Sequence, residues 1–144
     1  MMTACCDARW FAVPLMLLGS ALGCSDSNLG RVTGTVAIDG RPLANTMVTY
    51  KPLSGARPSA AMTDGQGRYE LIYSRDAKGA VLGEHVVEIS TFNEIMGDDT
   101  TEIIPETVPA RYNVQSELTA TVERRANVID FNLESGGEII QPAD

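Results

Sequence analysis

Residues 62–73 carry the feature that most constrains the fold, a tight chain reversal followed at once by an alternating segment. The reversal contains Gly65 and Gly67, and both are predicted to adopt the positive φ values that tight turns use. Because successive side chains of a strand point to opposite faces, Tyr69 and Leu71 then share one face. The stretch therefore predicts a β-hairpin.

The two arms of this hairpin are predicted at residues 59–63 and 68–73. On the second arm, Leu71 is expected to face the core. Ile72 falls on the opposite face, which is solvated in many antiparallel sheets. The pattern thus assigns one buried and one exposed face to the second arm.

The same alternation of apolar and polar residues recurs along the chain and predicts further strands. Turn-forming residues separate these segments, and none of them keeps a helical period. The further predicted strands are residues 32–38, 46–51, 84–92, 118–123 and 128–133. Seven short strands of this kind predict an all-β chain folded as an antiparallel two-sheet sandwich.

Three segments depart from the alternation. Residues 74–83 are rich in glycine, alanine and charge and are predicted to form a loop. Residues 93–110, interrupted by Gly97 and two prolines, are predicted to be the longest irregular and most mobile segment. Residues 135–144 lose the period and are predicted to form a flexible tail.

The N-terminus is typical of an export signal. Arg9 is followed by an apolar run at residues 10–18 and then by small residues up to Gly23. The run is too short for a membrane-spanning helix, which needs about 20 residues. We therefore assign residues 1–23 to a signal peptide and residues 24–30 to a polar tether.

Gly23 and Cys24 resemble the lipobox of bacterial lipoproteins. That resemblance implies cleavage before Cys24, lipidation of its thiol and attachment to the membrane of the cell envelope. The sequence departs from the family pattern at Ala21 and Leu22, where a branched apolar residue and a small residue are preferred. The alternative is an ordinary cleaved signal in which Cys24 is incidental. Ser25 favours the outer over the inner membrane by the family's sorting convention.

The composition of the chain argues against several kinds of site. A formal net charge of -8 and a pI near 4.6 argue against nucleic-acid binding, which uses clustered Lys and Arg. The acidity is explained by solubility alone. The three cysteines are Cys5, Cys6 and Cys24, so residues from Ser25 onward contain no disulfide, thiolate metal site or cysteine nucleophile.

Short turn and strand motifs follow one another between residues 31 and 134. They are V-T-G-T-V at 32–36, D-G-R-P-L at 39–43, T-D-G-Q-G-R-Y at 63–69, P-A-R-Y-N at 109–113 and F-N-L at 131–133. Together they resemble the carboxypeptidase regulatory-like domain, which is often found in small bacterial lipoproteins. The resemblance implies a seven-stranded transthyretin-like or immunoglobulin-like β-sandwich over residues 31–134. It bears on the fold more than on the function.

The resemblance also implies roles for single residues. Gly34 would lie where a larger side chain would crowd the neighbouring strand. Tyr69 would be a core aromatic residue just after the turn. Tyr112 would either bond its hydroxyl to nearby backbone, as corner tyrosines of sandwiches do, or simply pack.

Catalytic signals are weak throughout the sequence. His85 is the single histidine and is predicted to lie on the surface at the start of a strand, without an acid–base partner. The sequence has no Gly-x-Ser-x-Gly elbow and no Walker or dinucleotide-binding motif. The His and Arg set of the transthyretin-like hydrolase of a purine breakdown product is also missing. We therefore expect neither an enzyme nor a bound cofactor.

Carboxylates crowd the segment predicted to be irregular. Oxygen-rich loops can hold calcium, but the spacing here is not that of an EF-hand, and exposed charge is usually just solvated. The residues concerned are Glu94, Asp98, Asp99, Glu102 and Glu106. We expect no metal site and keep calcium binding as the alternative.

The sequence as a whole predicts a non-enzymatic, lipid-anchored cell-envelope protein. Its sandwich would be a structural or protein-interaction module with an envelope protein as partner. The alternative is a carbohydrate- or small-ligand-binding module that holds a glycan through exposed aromatic residues. Trp10 would be lost with the signal, and most tyrosines fall at expected core positions, which counts against the alternative. These are Tyr50, Tyr69, Tyr73 and Tyr112.

Overall fold

A computed structural model describes residues 28–142, which form an all-β chain. The predicted signal peptide, Cys24 and most of the predicted tether lie outside the described residues. In chain order the strands are β1 (Leu29–Gly30), β2 (Val32–Ile38), β3 (Arg41–Pro42), β4 (Met47–Pro52), β5 (Ser59–Met62), β6 (Arg68–Glu70), β7 (Ile72–Ser74), β8 (Ala77–Lys78), β9 (Ala80–Val81), β10 (Gly83–Ser90), β11 (Asn93–Met96), β12 (Thr101–Ile104), β13 (Thr119–Val122), β14 (Asn127–Val128) and β15 (Phe131–Leu133). A short 3-10 helix, η1 (Ala110–Tyr112), precedes β13.

The larger sheet has six strands in the order β13-β10-β4-β5-β7-β8, and all its neighbours are antiparallel. Two short strands, β8 and β9, lie in the segment predicted to be a loop. Strand β9 pairs with β1, so the end of the predicted tether is already part of the folded body.

The second sheet is built around β2. Strands β6 and β3 pair with it antiparallel, and Asp39 and Gly40 form the β2–β3 turn with φ values of 49° and 76°. Strands β14 and β15 pair with β2 in parallel, which corrects the prediction of a purely antiparallel sandwich. Strands β14 and β15, which we call the closing strands, follow β13 of the other sheet along the chain. No tight turn connects them to β2, so nothing forces them to run antiparallel to it.

The core lies between these two sheets, an arrangement typical of a β-sandwich. The ring of Phe131 packs against the rings of Tyr50 and Tyr69, each at 6.4 Å between centroids. The buried apolar residues of the core cluster are Val32, Val36, Val48, Tyr50, Ala61, Tyr69, Leu71, Ala80, Val87, Ile89, Val108, Val122, Phe131 and Leu133.

A chain of hydroxyl hydrogen bonds crosses this core. The Tyr69 hydroxyl donates to the carbonyl oxygen of Ile129 at 2.6 Å, so Tyr50 is the donor in its 3.0 Å bond to the Tyr69 hydroxyl. Burial raises the pKa of Tyr50 to about 12 and also raises the pKa of Tyr69. Both phenols are therefore neutral, and the predicted core position of Tyr69 is confirmed.

Gly34 lies where the closing strands are interrupted. Between β14 and β15, the amide of Ile129 donates to the carbonyl oxygen of Thr33, while the Asp130 carboxylate accepts from the amide and hydroxyl of Thr35. A Cβ at Gly34 would lie 1.7 Å from the carbonyl oxygen of Ile129. The expected crowding at this glycine is confirmed.

The reversal at residues 62–73 forms, but the two arms that it joins pair only at their far ends, at Ala60 and Ile72. The amide of Gly67 donates to the carbonyl oxygen of Asp64, and Gly67 has φ +74° as predicted. Gly65 does not have a positive φ, so that prediction is wrong. Strand β5 before the turn pairs with β4, whereas β6 after the turn pairs with β2. The turn therefore carries the chain from one sheet to the other.

The predicted second arm also divides at Leu71. The amide of Leu71 donates to the carbonyl oxygen of Val32 in the second sheet, and the next residue, Ile72, pairs with Ala60 in the larger sheet. Leu71 is fully buried and Ile72 is 51% exposed. The predicted faces are therefore right, and the predicted pairing of the two arms is right at Ala60 and Ile72 but wrong for residues 68–70, which pair with β2.

Candidate functional site

His85 is buried in β10, which corrects the prediction of a surface histidine. Its side chain is 1% exposed, its Nδ1 lies 3.0 Å from the carbonyl oxygen of Gly83, and its ring lies 5.6 Å from the ring of Tyr50. Residues 85, 87 and 89 all point into the core, so the period of two in this strand includes the histidine. Val87 and Ile89 mark the apolar face of this strand, and His85 lies two residues before Val87 on the same face. The alternation by itself therefore predicts a buried histidine.

The surroundings of His85 favour a neutral imidazole. Burial lowers its pKa and outweighs the opposing effect of the hydrogen bond to Gly83. A cavity of about 120 Å³ lies beside the ring. Within residues 28–142 no carboxylate forms a hydrogen bond or ion pair with the imidazole, so the structure does not assemble an acid–base pair there.

The segment predicted to be irregular contains a β-hairpin. Strands β11 and β12 pair from Asn93↔Ile104 to Met96↔Thr101, and the amide of Gly97 donates to the carbonyl oxygen of Thr100 at 2.7 Å. The prediction of an irregular segment is therefore wrong for residues 93–104, which we call the acidic hairpin. Its signal in the sequence was Gly97-Asp98 between two short segments rich in β-formers.

The five carboxylates of this region do not converge on one point. Glu94, Asp98, Asp99 and Glu102 are exposed on the acidic hairpin, whereas Glu106 is 4% exposed and lies in the body below it. Among residues 28–142, no group of three or more His, Cys, Asp or Glu side chains is placed to hold a metal ion. The structure thus brings no calcium ligand set together from these residues.

Glu106 joins the base of the acidic hairpin to the end of β10. Its Oε1 accepts hydrogen bonds from the amides of Thr91, Thr107 and Val108 and from the Thr91 hydroxyl, at 2.8–3.0 Å. Its Oε2 accepts from the Ser90 hydroxyl. Burial alone would raise the pKa of Glu106, but these hydrogen bonds outweigh it and hold the pKa below the ordinary value of 4.5.

Glu106→Gln is therefore expected to lower the free energy of unfolding by about 1–3 kcal/mol at neutral pH, since an amide cannot satisfy the same donors. Because the folded pKa is depressed, the stabilisation by ionised Glu106 is present above pH 4.5 and is lost as the pH falls through the folded pKa. Denaturant unfolding of both proteins from pH 7 to pH 3 measures this. Glu102→Gln, on the exposed hairpin, is the matched control. A gap between wild type and Glu106→Gln that stays constant down to pH 3 would contradict the charged role.

The C-terminal residues pack along the segment that follows the acidic hairpin. The side chain of Gln141 accepts from the amide of Glu106 and donates to its carbonyl oxygen, both at 2.9 Å. The amide of Ala110 donates to the carbonyl oxygen of Glu138 at 2.7 Å. The amide of Ser135 also donates to the Asp39 carboxylate at 3.1 Å, so within residues 135–142 the predicted flexible tail is bonded to the body at three points.

The Tyr112 hydroxyl is hydrogen-bonded to backbone. It accepts from the amide of Glu134 at 3.2 Å, and the guanidinium of Arg111 lies 4.9 Å from the ring centroid of Tyr112. The bonded backbone is 22 residues away along the chain and lies just after β15. Of the two roles that the resemblance left open, the structure supports the hydroxyl bond.

Aromatic side chains offer little surface for stacking a sugar. Within residues 28–142 every Tyr and Phe side chain is buried or half-buried. A polar surface depression of about 270 Å³ lies beside residues 121–129, and it includes the Glu123–Arg125 ion pair but no aromatic residue. Glycan-binding sites normally combine polar groups with an aromatic platform. This depression has polar groups but no aromatic side chain.

Comparisons with known proteins do not assign a family. No protein-family model matches the chain, and no curated protein matches its sequence. A search of solved structures finds a 9R-lipoxygenase from Cyanothece PCC8801 with a TM-score of 0.40 and 13% identity. The match covers 74% of this chain and only 16% of the lipoxygenase chain. Residues 28–142 contain no helix with the length and hydrophobicity of a membrane span.

Proposed function

We propose that this protein is a non-enzymatic lipoprotein of the cell envelope, held in the outer membrane by a lipid on Cys24. The observation that carries the proposal is the Gly23-Cys24 pair after a short apolar run, followed within a few residues by a folded all-β body. Residues 1–23 would be the cleaved signal peptide. The body over residues 31–134 would be a structural or protein-interaction module.

The start of the fold limits how far the body can move from the membrane. Asn28 accepts a hydrogen bond from the amide of Leu82, and β1 begins at Leu29, so in this proposal only residues 24–27 would separate the lipid from the first bonded residue of the body. A fully extended chain reaches at most about 3.5 Å per residue, which gives an upper limit of roughly 14 Å. The sandwich would therefore lie close to the lipid headgroups and meet partners at the membrane surface.

We further propose that the body is a seven-stranded transthyretin-like sandwich of the carboxypeptidase regulatory-like kind. Support comes from two sheets around one core, with Gly34 and Tyr69 in the positions that the resemblance implies. Several of the observed strand segments are two or three residues long and subdivide the longer predicted strands.

A binding role agrees better with the chemistry of the body than an enzymatic one. The side chains with the best catalytic potential, His85 and Glu106, are buried and hydrogen-bonded to groups of the scaffold itself. The glycan-binding alternative has less support, because the described tyrosines are buried or half-buried.

Metabolic labelling with a clickable fatty acid tests the anchor. Wild type is expected to be labelled and Cys24→Ala to lose the label completely, because only a thiol at the lipobox position forms the thioether. Cys5→Ala and Cys6→Ala are matched controls that remove thiols from the signal peptide, and both should stay labelled. Equal labelling of wild type and Cys24→Ala would end the proposal of a lipid on this residue.

A further inference from the structure

The acidic hairpin projects from the body of the protein. Strands β11 and β12 form a two-stranded sheet that is not hydrogen-bonded to the other sheets of the described chain. Only the pair at its base, Asn93 and Ile104, is half-buried, and residues 94–103 are all exposed. An isolated two-stranded hairpin is only marginally stable in water, so a projecting hairpin gains from contact with another surface.

Large apolar side chains lie on both faces of this hairpin. Ile95 is 47% exposed, Met96 80% and Ile103 57%. Ile95 lies opposite Glu102 on one face, and Ile103 lies opposite Glu94 on the other. Each face therefore presents an apolar side chain directly beside a carboxylate, and exposed apolar groups concentrated on one element mark interaction sites.

The charge on the acidic hairpin has one sign. Its carboxylates are Glu94, Asp98, Asp99 and Glu102, and the sequence has no Lys or Arg between residues 93 and 110. The ion pairs within residues 28–142 join other residues and include none of these four. The hairpin thus presents uncompensated negative charge around exposed apolar groups.

We propose that the acidic hairpin docks onto a protein surface that combines an apolar recess with a rim of Lys and Arg. Opposite charge around an apolar contact favours binding and sets the orientation of the partner. A contact between the hairpins of two copies would bring the same carboxylates against one another, and an anionic lipid surface would repel them. This inference deepens the proposed function, on which it rests, by naming the contact element and the class of partner.

The probe for the test is a fluorescent peptide of alternating lysine and valine, about ten residues long to match a strand pair. Its binding to the full-length protein is followed by fluorescence anisotropy, with the same nonionic detergent in every sample. Wild type is expected to bind the peptide and to bind it more weakly as salt is added. A glutamate–valine peptide of the same length should not bind.

The decisive comparison uses two variants with the same net charge. One neutralises the hairpin, and the other neutralises four exposed carboxylates elsewhere that make no side-chain hydrogen bond. The first is expected to weaken binding at least about tenfold, and the second by less than about twofold. The first is Glu94→Gln, Asp98→Asn, Asp99→Asn and Glu102→Gln; the second is Asp76→Asn, Glu84→Gln, Glu117→Gln and Glu138→Gln. If both variants lost the same affinity for the peptide, the attraction would depend on the net charge of the protein alone. That result would overturn the proposal.

The apolar contribution is tested separately. Met96→Thr with Ile103→Thr should also weaken binding, whereas Leu53→Thr with Val128→Thr, at sites 64% and 74% exposed, should not. No difference between these pairs would overturn the apolar part of the contact. Sedimentation that showed dimers dissolved by the hairpin variant would assign the surface to a second copy instead. Fatty-acid labelling does not depend on the hairpin, so failure here leaves the anchor result standing.

Discussion

Replacing Gly34 by alanine is expected to lower the free energy of unfolding by roughly 3–5 kcal/mol, a large share of the total of about 5–15 kcal/mol. A Cβ at this position would lie 1.7 Å from the carbonyl oxygen of Ile129 and 3.0 Å from Cε1 of Tyr69. The first of these atoms is backbone and cannot rotate away, so β2 must separate from the segment between β14 and β15.

That separation would weaken several hydrogen bonds at once. The bond from the Ile129 amide to Thr33 and the bond from the Tyr69 hydroxyl to Ile129 both cross the gap. Each lost bond leaves a polar group without its partner, and a buried unpartnered group costs about 1–3 kcal/mol.

Gly65→Ala is the matched control for this prediction. Gly65 lacks a positive φ, and a Cβ there would meet nothing within 4 Å. Alanine at such a site should be neutral or stabilise the protein by about 0.4–1 kcal/mol, because it restricts the unfolded chain. Denaturant melts of the two variants measure the difference. If Gly34→Ala were as stable as Gly65→Ala, the close approach of Ile129 to β2 would be refuted.

Leu71→Ala is expected to cost about 2–5 kcal/mol, through lost burial of the side chain and the cavity left behind. Leu71 is fully buried at the point where the chain passes from β6 in one sheet to β7 in the other. Its amide bonds to Val32, and its carbonyl oxygen accepts from Gly79. A cavity there would loosen packing on both sides of the core.

The neighbouring residue provides the control for Leu71. Ile72→Thr removes two carbons and adds a hydroxyl on a side chain that is 51% exposed, so it should cost less than about 1 kcal/mol. Equilibrium unfolding in urea compares the two. Comparable losses from both substitutions would contradict the assignment of Leu71 to a buried face and Ile72 to an exposed one.

These predictions place stability and binding in different parts of the molecule. The core between the sheets depends on close packing around Gly34 and Leu71, whereas the acidic hairpin contributes few buried groups beyond its base. Interaction elements commonly lie on such projections from a rigid scaffold. Hairpin variants are therefore expected to change binding with little effect on unfolding.

The sequence identified several parts of the candidate site but not their arrangement. It singled out all four exposed carboxylates of the acidic hairpin, because runs of acidic residues stand out in composition. It missed the hairpin itself and with it the exposure of Met96 and Ile103. It also placed His85 on the surface, since a polar residue at the end of a strand is usually solvated, although the alternation in β10 pointed inward.

Local features of the fold follow from the sequence alone, because they depend on interactions between residues a few positions apart. The alternation over β2, the turn at Gly67 and the opposite faces of Leu71 and Ile72 are of this kind. The export-signal pattern before Cys24 is also local and is a property of the sequence only.

Tertiary structure decided which strands became neighbours. The turn at residues 64–67 is compatible with a hairpin or with a passage between sheets, and only the competition of β2 and β4 for the flanking segments selects the second. Tertiary structure also determined the direction of β14 and β15. They run parallel to β2 because of the route that the chain takes from β13 back to β2. Strand partners come from distant positions, and the free energy of each pairing depends on the packing of the whole core, which a local pattern does not contain.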